Sequence, residues 1–173
     1  MALDLQDCTF FGSALPEPFV KYQLEKELNK RKLLPKTSGE EGRHLKKRWE
    51  VFRRKLRELG EHGGDRRVAN HVLEPLVERL GYTLLERQPE VTTREGAEDG
   101  GWLMIFEGDY KLRAWSIALG TDLDAPNRRG RAYRFSPSRV SQRVLLATGE
   151  RVGLLTDGEE LRLLLCDQDR PDS

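Results

Sequence analysis

Cysteine is nearly absent: Cys8 and Cys166 are the only two among 173 residues, and they lie near opposite ends of the chain. That argues against a disulfide-stapled scaffold, which needs several, and against a zinc ribbon, which needs close pairs. Histidine is sparse too, and His44, His62 and His71 stand at no metal-ligand spacing with the cysteines. No apolar run approaches the roughly 20 residues that span a bilayer, and no charged-then-apolar leader opens the chain. These absences predict no membrane partner and a cytoplasmic compartment. Walker loop, Ser/His/Asp arrangement and methyltransferase cofactor motif are also missing, so ATP use or methylation would belong to sequence beyond Ser173. The chain stops in the polar stretch "CDQDRPDS". That reads equally as the end of a complete protein or as the front piece of a longer one.

What is present is charge. Asp, Glu, Lys and Arg make up 34% of the residues, yet the net charge is only +1 because the signs are segregated. Residues 21–59 hold 14 Lys/Arg against 6 Asp/Glu, and residues 127–143 hold six arginines and no acid. From Asp157 onward the chain is acidic. Such asymmetry points to an anionic partner more than the total does.

The length fits one domain, or one domain with an appendage. Residues 1–18 read as an irregular lead-in whose Phe10, Phe11 and Leu15 dock on the body. Phe19 to about Leu33 carries a helical pattern. "PKTSGEEG" breaks it, and Ser38 with Glu41 three residues later fits a capping box. In the next helix Leu45, Trp49, Phe52, Leu56 and Leu59 form a narrow apolar seam, while Lys46, Lys47, Arg53, Arg54 and other cations occupy much of the rest. It reads either as a solvated charged helix packed by one edge or as a helix that tracks a phosphate backbone. Composition changes at "GEHGGD", which places a boundary near residue 63. Residues 1–63 are then a helical appendage with a basic helix, and residues 64–173 a mixed α/β unit.

That unit opens with "VANHVLEPLVERLGY", where Val72, Leu73, Leu76, Val77 and Leu80 form an apolar face. Gly81 suits a C-cap, and Pro75 predicts a kink or a late start. His71 reads as a boundary residue. "YTLLERQPEV", "WLMIF" and "YKLRAWSIALG" read as three strands. Ser136 before Pro137 is a good N-cap for a helix through residue 150, with Val140, Val144 and Leu145 inward. "VGLLTDGEELRLLL" (152–165) then reads as a hairpin, with Asp157-Gly158 as a two-residue turn. The order is helix, three strands, helix, two strands.

"VLEPLVERLGY" (72–82), "RVSQRVLLATGERVGLLTDGEELRLL" (139–164) and, more faintly, "FFGSALPEPFVKYQLEKEL" (10–28) carry a resemblance. They are similar to the PD-(D/E)xK nuclease-like N-terminal domains of restriction-type enzymes. These include the type I restriction subunit and single-chain restriction-modification enzymes with an adenine methyltransferase, in bacterial phage-defence systems. The resemblance covers about residues 66–165. It implies a restriction-endonuclease-like mixed sheet flanked by helices, a DNA partner, and further domains or subunits of a restriction or defence complex.

In that family an acid at the start of the second core strand and an Asp/Glu-x-Lys on the third hold Mg²⁺ and activate water. Here Ser116 and Ala118 stand where the acid and lysine belong, so the resemblance implies a degenerate site with no catalytic residues, metal or cofactor. The alternative is Asp99 followed by Asp109-Tyr110-Lys111, a literal acid and Asp-x-Lys, which would make an active Mg²⁺-dependent endonuclease. Glu90 and Glu98 would be further ligands, or solvent-facing loop residues. Against it, Asp109 falls in the tight turn between strands two and three, where Glu-Gly-Asp is ordinary turn composition.

"APNRRGRAYRFSPSR" interleaves Arg128, Arg129, Arg131, Arg134 and Arg139 with Tyr133 and Phe135, and Arg143 follows in the helix. Guanidinium groups bind phosphate oxygens in forks, aromatics stack on bases, and a helix N-terminus adds free N–H groups. The competing reading is a solvated loop paired with acids such as Asp122 and Asp124. Together these observations predict a catalytically degenerate DNA-binding domain. An architectural domain docking an acidic partner is the further alternative.

Overall fold

The computed structural model describes residues 4–12, 15–34, 36–60, 63–106, 110–126 and 135–169. Contacts group the chain into two units, Met1–Glu50 and Val51–Pro171. The division falls inside a helix, whereas composition alone marks residue 63.

In the first unit the segment expected as one helix is two, α1 (Glu17–Tyr22) and α2 (Leu24–Lys30). They part at Gln23, whose φ of −121° leaves the helical region while its N–H still closes α1 on the Phe19 carbonyl at 2.8 Å. Val20 is buried, and Phe11 is 87% exposed. The long helix α3 (Gly39–Leu59) starts here. Its expected capping acid, Glu41, reaches back to Lys36 Nζ at 3.3 Å. Leu45 is half-buried and Trp49 exposed.

In the second unit the last turns of α3 use the predicted seam. Phe52, Leu56 and Leu59 pack on Val68, Val72 and Leu119. A broken helix follows: α4 (Asp65–Val68), a π-helical stretch (Ala69–Leu73) and α5 (Glu74–Arg79). Pro75 has no N–H for the His71 carbonyl, and the wider π-turn just before it accommodates the lost bond. The break also divides the apolar face. Val68 and Val72 meet α3, while Leu73 and Val77 meet the sheet; Leu80, expected inside, is half exposed. Gly81, at φ +82°, closes the helix as expected, with Tyr82 N–H on the Val77 carbonyl at 3.0 Å.

Five strands form one mixed sheet in the order β1 (Thr83–Arg87), β4 (Trp102–Phe106), β5 (Tyr110–Ser116), β6 (Val152–Thr156), β7 (Leu161–Leu165). β1, β4 and β5 are successive antiparallel neighbours. Helix α6 (Pro137–Thr148) carries the chain over so that β6 lies parallel to β5, and β7 returns antiparallel. Alternation along β5 assigns the two faces. Leu112 and Ala114 join Leu73, Val77, Met104 and Leu154 on one side; Trp115 joins Val144, Leu145, Leu155 and Leu164 on the other. Ser136 caps α6 as predicted, its Oγ accepting the Arg139 N–H at 3.3 Å.

Two short strands, β2 (Val91–Thr93) and β3 (Gly96–Glu98), make a separate hairpin that the sequence reading merged into one strand and a loop. The β6–β7 connection is also wider than the expected two-residue turn, since Thr156 pairs with Leu161. Asp157 Oδ1 accepts the N–H groups of Glu159 and Glu160 at 3.0 and 2.8 Å, which closes a four-residue loop. Among the described residues no helix is long and apolar enough to cross a membrane.

Candidate nucleic-acid interface

The end of β5 meets the start of β4 at one corner of the sheet, because Ala114 pairs with Trp102. Asp99 lies just ahead of β4 at this corner. Gly100 and Gly101 bring it there: Gly101 has φ +66°, and a Cβ on it would sit 2.5 Å from the Ala114 carbonyl. The Asp99 carboxylate faces Arg87, at the end of β1. Arg87 Nη2 lies 2.6 Å from Oδ2 and Nε 3.3 Å from Oδ1, while Nη1 reaches Asp65 Oδ2 at 3.0 Å. Asp99 Oδ1 also accepts the Gly101 N–H at 3.0 Å, and the Asp99 carbonyl accepts from Trp115 Nε1 at 3.0 Å. The hydrogen bond to Asp99, more than any other contact, holds the Arg87 guanidinium above its ordinary pKa.

Ser116 is buried on the same corner, and its Oγ accepts from Trp102 Nε1 at 3.3 Å. β5 ends there, so Ala118 falls beyond the strand, in the turn closed by the Thr121 hydroxyl on the Ala118 carbonyl at 2.6 Å. The corner thus joins two carboxylates, Asp99 and Asp65, to the Arg87 guanidinium they share, with the Ser116 hydroxyl beside them, and the position two residues past Ser116 bears a methyl group.

Of the alternative set, the backbone register places one member relative to Asp99. Asp109 and the Lys111 side chain lie outside the described residues, but the Lys111 backbone pairs with Ile105. That is three residues along β4 from Trp102, about 10 Å away from the Asp99 end. Glu98 is buried and turns to Arg143 at 3.4 Å, and Glu90 is exposed. His71 is half-buried at the π-turn, its Nδ1 3.2 Å from the Lys55 carbonyl oxygen. Among the described residues no group of three or more His, Cys, Asp or Glu could hold a metal ion.

The basic candidates separate into three sets. Lys46 and Lys47 in the first unit and Arg53 and Arg54 in the second are exposed on α3. Arg54 pairs with Glu58, one turn on, at 3.7 Å. Arg139 is exposed in the first turn of α6. Arg128, Arg129, Arg131 and Arg134 lie outside the described residues.

Arg143 differs from its expected role, because its guanidinium points inward. Nη2 contacts Glu95 and donates to Thr93 Oγ1 at 2.8 Å, and the group lies over the Phe135 ring at 4.3 Å. Arg143 therefore pins the β2–β3 hairpin to α6 and offers no outward face to a phosphate. The two acids that could partner the arginine-rich loop both have contacts among the described residues. Asp122 Oδ1 accepts the N–H groups of Asp124 and Ala125 at 2.9 and 3.1 Å. Asp124 pairs with Arg162 Nη1 at 2.6 Å, and that hydrogen bond lowers the Asp124 pKa.

Arg87, Arg113 and Arg162 escaped the sequence reading, although a charged residue inside a strand of aliphatics signals a required partner. Arg113, in the central strand, is almost fully buried. It forks onto Glu150 with Nε–Oε2 2.7 Å and Nη2–Oε1 2.8 Å, and also bonds the Gly100 carbonyl. Arg162 holds Asp124, Glu160 and Ser138 together.

In comparisons with protein-family models, curated proteins and solved structures, no match was found.

Proposed function

We propose that this chain is a non-catalytic DNA-binding module, a nuclease-like domain of restriction-modification or phage-defence type whose cleavage site has degenerated. One observation supports it above the rest. A meander of three antiparallel strands, a crossover helix and a parallel fourth strand bring Asp99 beside the end of the third strand, the arrangement that the resemblance calls for. There Asp99 shares the Arg87 guanidinium with Asp65, and Ser116 and Ala118 stand where the resemblance calls for an acid and a lysine.

The residues at the corner do not fit Mg²⁺. A divalent cation needs several oxygen ligands with unneutralised charge. Here Ser116 replaces a carboxylate, Ala118 replaces the amine, and the two remaining acids, Asp99 and Asp65, share one guanidinium. DNA contact then falls to Lys46, Lys47, Arg53 and Arg54 on α3 and to Arg128, Arg129, Arg131, Arg134 and Arg139. Each supplies a phosphate-binding cation, and exposure of those on α3 and of Arg139 suits the role.

Fluorescence anisotropy of a labelled duplex against salt tests the reading. Log affinity should fall with log salt by about 0.9 per phosphate neutralised. Charge reversal at Arg128, Arg129 and Arg131, or at Arg53 and Arg54, should weaken binding and flatten that slope. With Mg²⁺ present, supercoiled plasmid should stay uncut. Salt-insensitive binding would refute a phosphate interface, and Mg²⁺-dependent cutting abolished by Asp109→Ala would establish the nuclease alternative.

A further inference from the structure

The far edge of the sheet has a different character from the basic candidates. β7 is the last strand in the sheet order, and Leu161, Leu163 and Leu165 on it are 49%, 55% and 38% exposed. All three share a face, because the intervening Leu164 is buried on the α6 side. The same three residues own the free backbone groups. Cys166 donates its N–H inward to the Arg151 carbonyl at 2.8 Å. By alternation the N–H and C=O groups of residues 165, 163 and 161 point away from β6. An edge that offers ladder groups and aliphatic side chains at the same positions is a template for another strand.

Charge decides which strand. Glu159 and Glu160 flank the leucines at one end, Asp167 and Asp169 at the other, and all four are exposed. Arg162 is shared between Glu160 and Asp124, which leaves Arg151 as the other nearby cation among the described residues, and their charge along this rim is net negative. A second copy of this chain, paired antiparallel about Leu163, would set Glu159 beside its mate's Asp167. Like charges directly opposite are destabilising. DNA is repelled for the same reason.

We propose that the β7 edge is a protein-docking surface for a strand with aliphatic residues at alternate positions and lysine or arginine at both ends. The partner strand completes the ladder at Leu161, Leu163 and Leu165, buries their side chains, and sets its cations against the acidic rim.

The test uses the full chain with the synthetic peptide KKVTVTVKK and its counterpart EEVTVTVEE, read by amide hydrogen exchange and by titration. The basic peptide should slow exchange at Leu161, Leu163 and Leu165, and the acidic peptide should not. Leu163→Lys, with an unchanged melting curve, should weaken the basic peptide by about tenfold through loss of the central apolar contact. Three results each overturn the proposal: binding that leaves those three amides unprotected, binding by neither peptide, or self-association of the parent chain that Leu163→Lys abolishes. The last would make a second copy the occupant.

Discussion

Arg87 grips Asp99 by two nitrogens of one guanidinium and holds Asp65 with the third. It ties the end of β1 both to the start of α4 and to the residue ahead of β4. All three side chains are 38–47% exposed, so water weakens the network. Arg87→Gln should lower stability in urea by about 1 kcal/mol, with the loss shrinking in strong salt. An unchanged midpoint would show that the network contributes nothing to folding.

A larger effect is expected at the Arg113–Glu150 fork. Arg113 is 9% exposed as a side chain, and removing its partner leaves a buried charge uncompensated. Glu150→Ala should destabilise by about 3 kcal/mol. Replacing both, Arg113→Met with Glu150→Leu, should cost clearly less, since no orphan charge remains. Equal losses for the single and double variants, by chemical denaturation, would contradict the electrostatic account.

Asp124 gives a pH dependence with a definite sign. Arg162 lowers its pKa below the ordinary 3.8, so the folded chain holds the carboxylate ionised more firmly than the unfolded chain does. The contribution is present above that value and is lost as the pH falls through the folded pKa. Because the side chain is 70% exposed, the gain is at most about 1 kcal/mol. Melting temperatures of the parent and Asp124→Asn should differ at pH 7 and converge as the pH falls through the lowered Asp124 pKa.

Gly101 should tolerate no side chain. Its positive φ strains any L-residue, and a Cβ would enter the Ala114 carbonyl. Gly101→Ala should cost at least about 2 kcal/mol and loosen Trp115, whose Nε1 bonds the neighbouring Asp99 carbonyl. Near-ultraviolet circular dichroism and a urea midpoint would report both effects, and a native spectrum with an unshifted midpoint would show that the backbone can yield here.

Much of the element order was legible because local chemistry repeats. The 4-and-3 spacing of Leu45 to Leu59 belongs to a helix, Ser136-Pro137 starts one, and Gly81 ends one. The apolar run Trp102–Phe106 and the aliphatic runs on either side of Asp157-Gly158 belong to strands. Less legible were short or interrupted elements. Residues 91–98 are too few to show a period, and Gln23 carries no glycine or proline to announce a break. At the candidate site, Ser116 falls at the end of the third strand, while Ala118, expected on that strand, lies beyond it. Asp99's partner could not be read from the sequence, because Arg87 lies on another strand and nothing in its own neighbourhood points to an acid twelve residues on.

The sequence by itself therefore determined most of the helices and strands, that the charge is segregated, and that serine and alanine occupy positions 116 and 118. These are properties of neighbours along the chain. Tertiary structure alone decided that Asp99 faces Arg87, that Arg143 turns inward onto Glu95 and Glu98, and that three leucines of β7 stand at an open edge. Each of these depends on sheet order and strand register, which bring together residues whose separation along the chain carries no information about their distance in space.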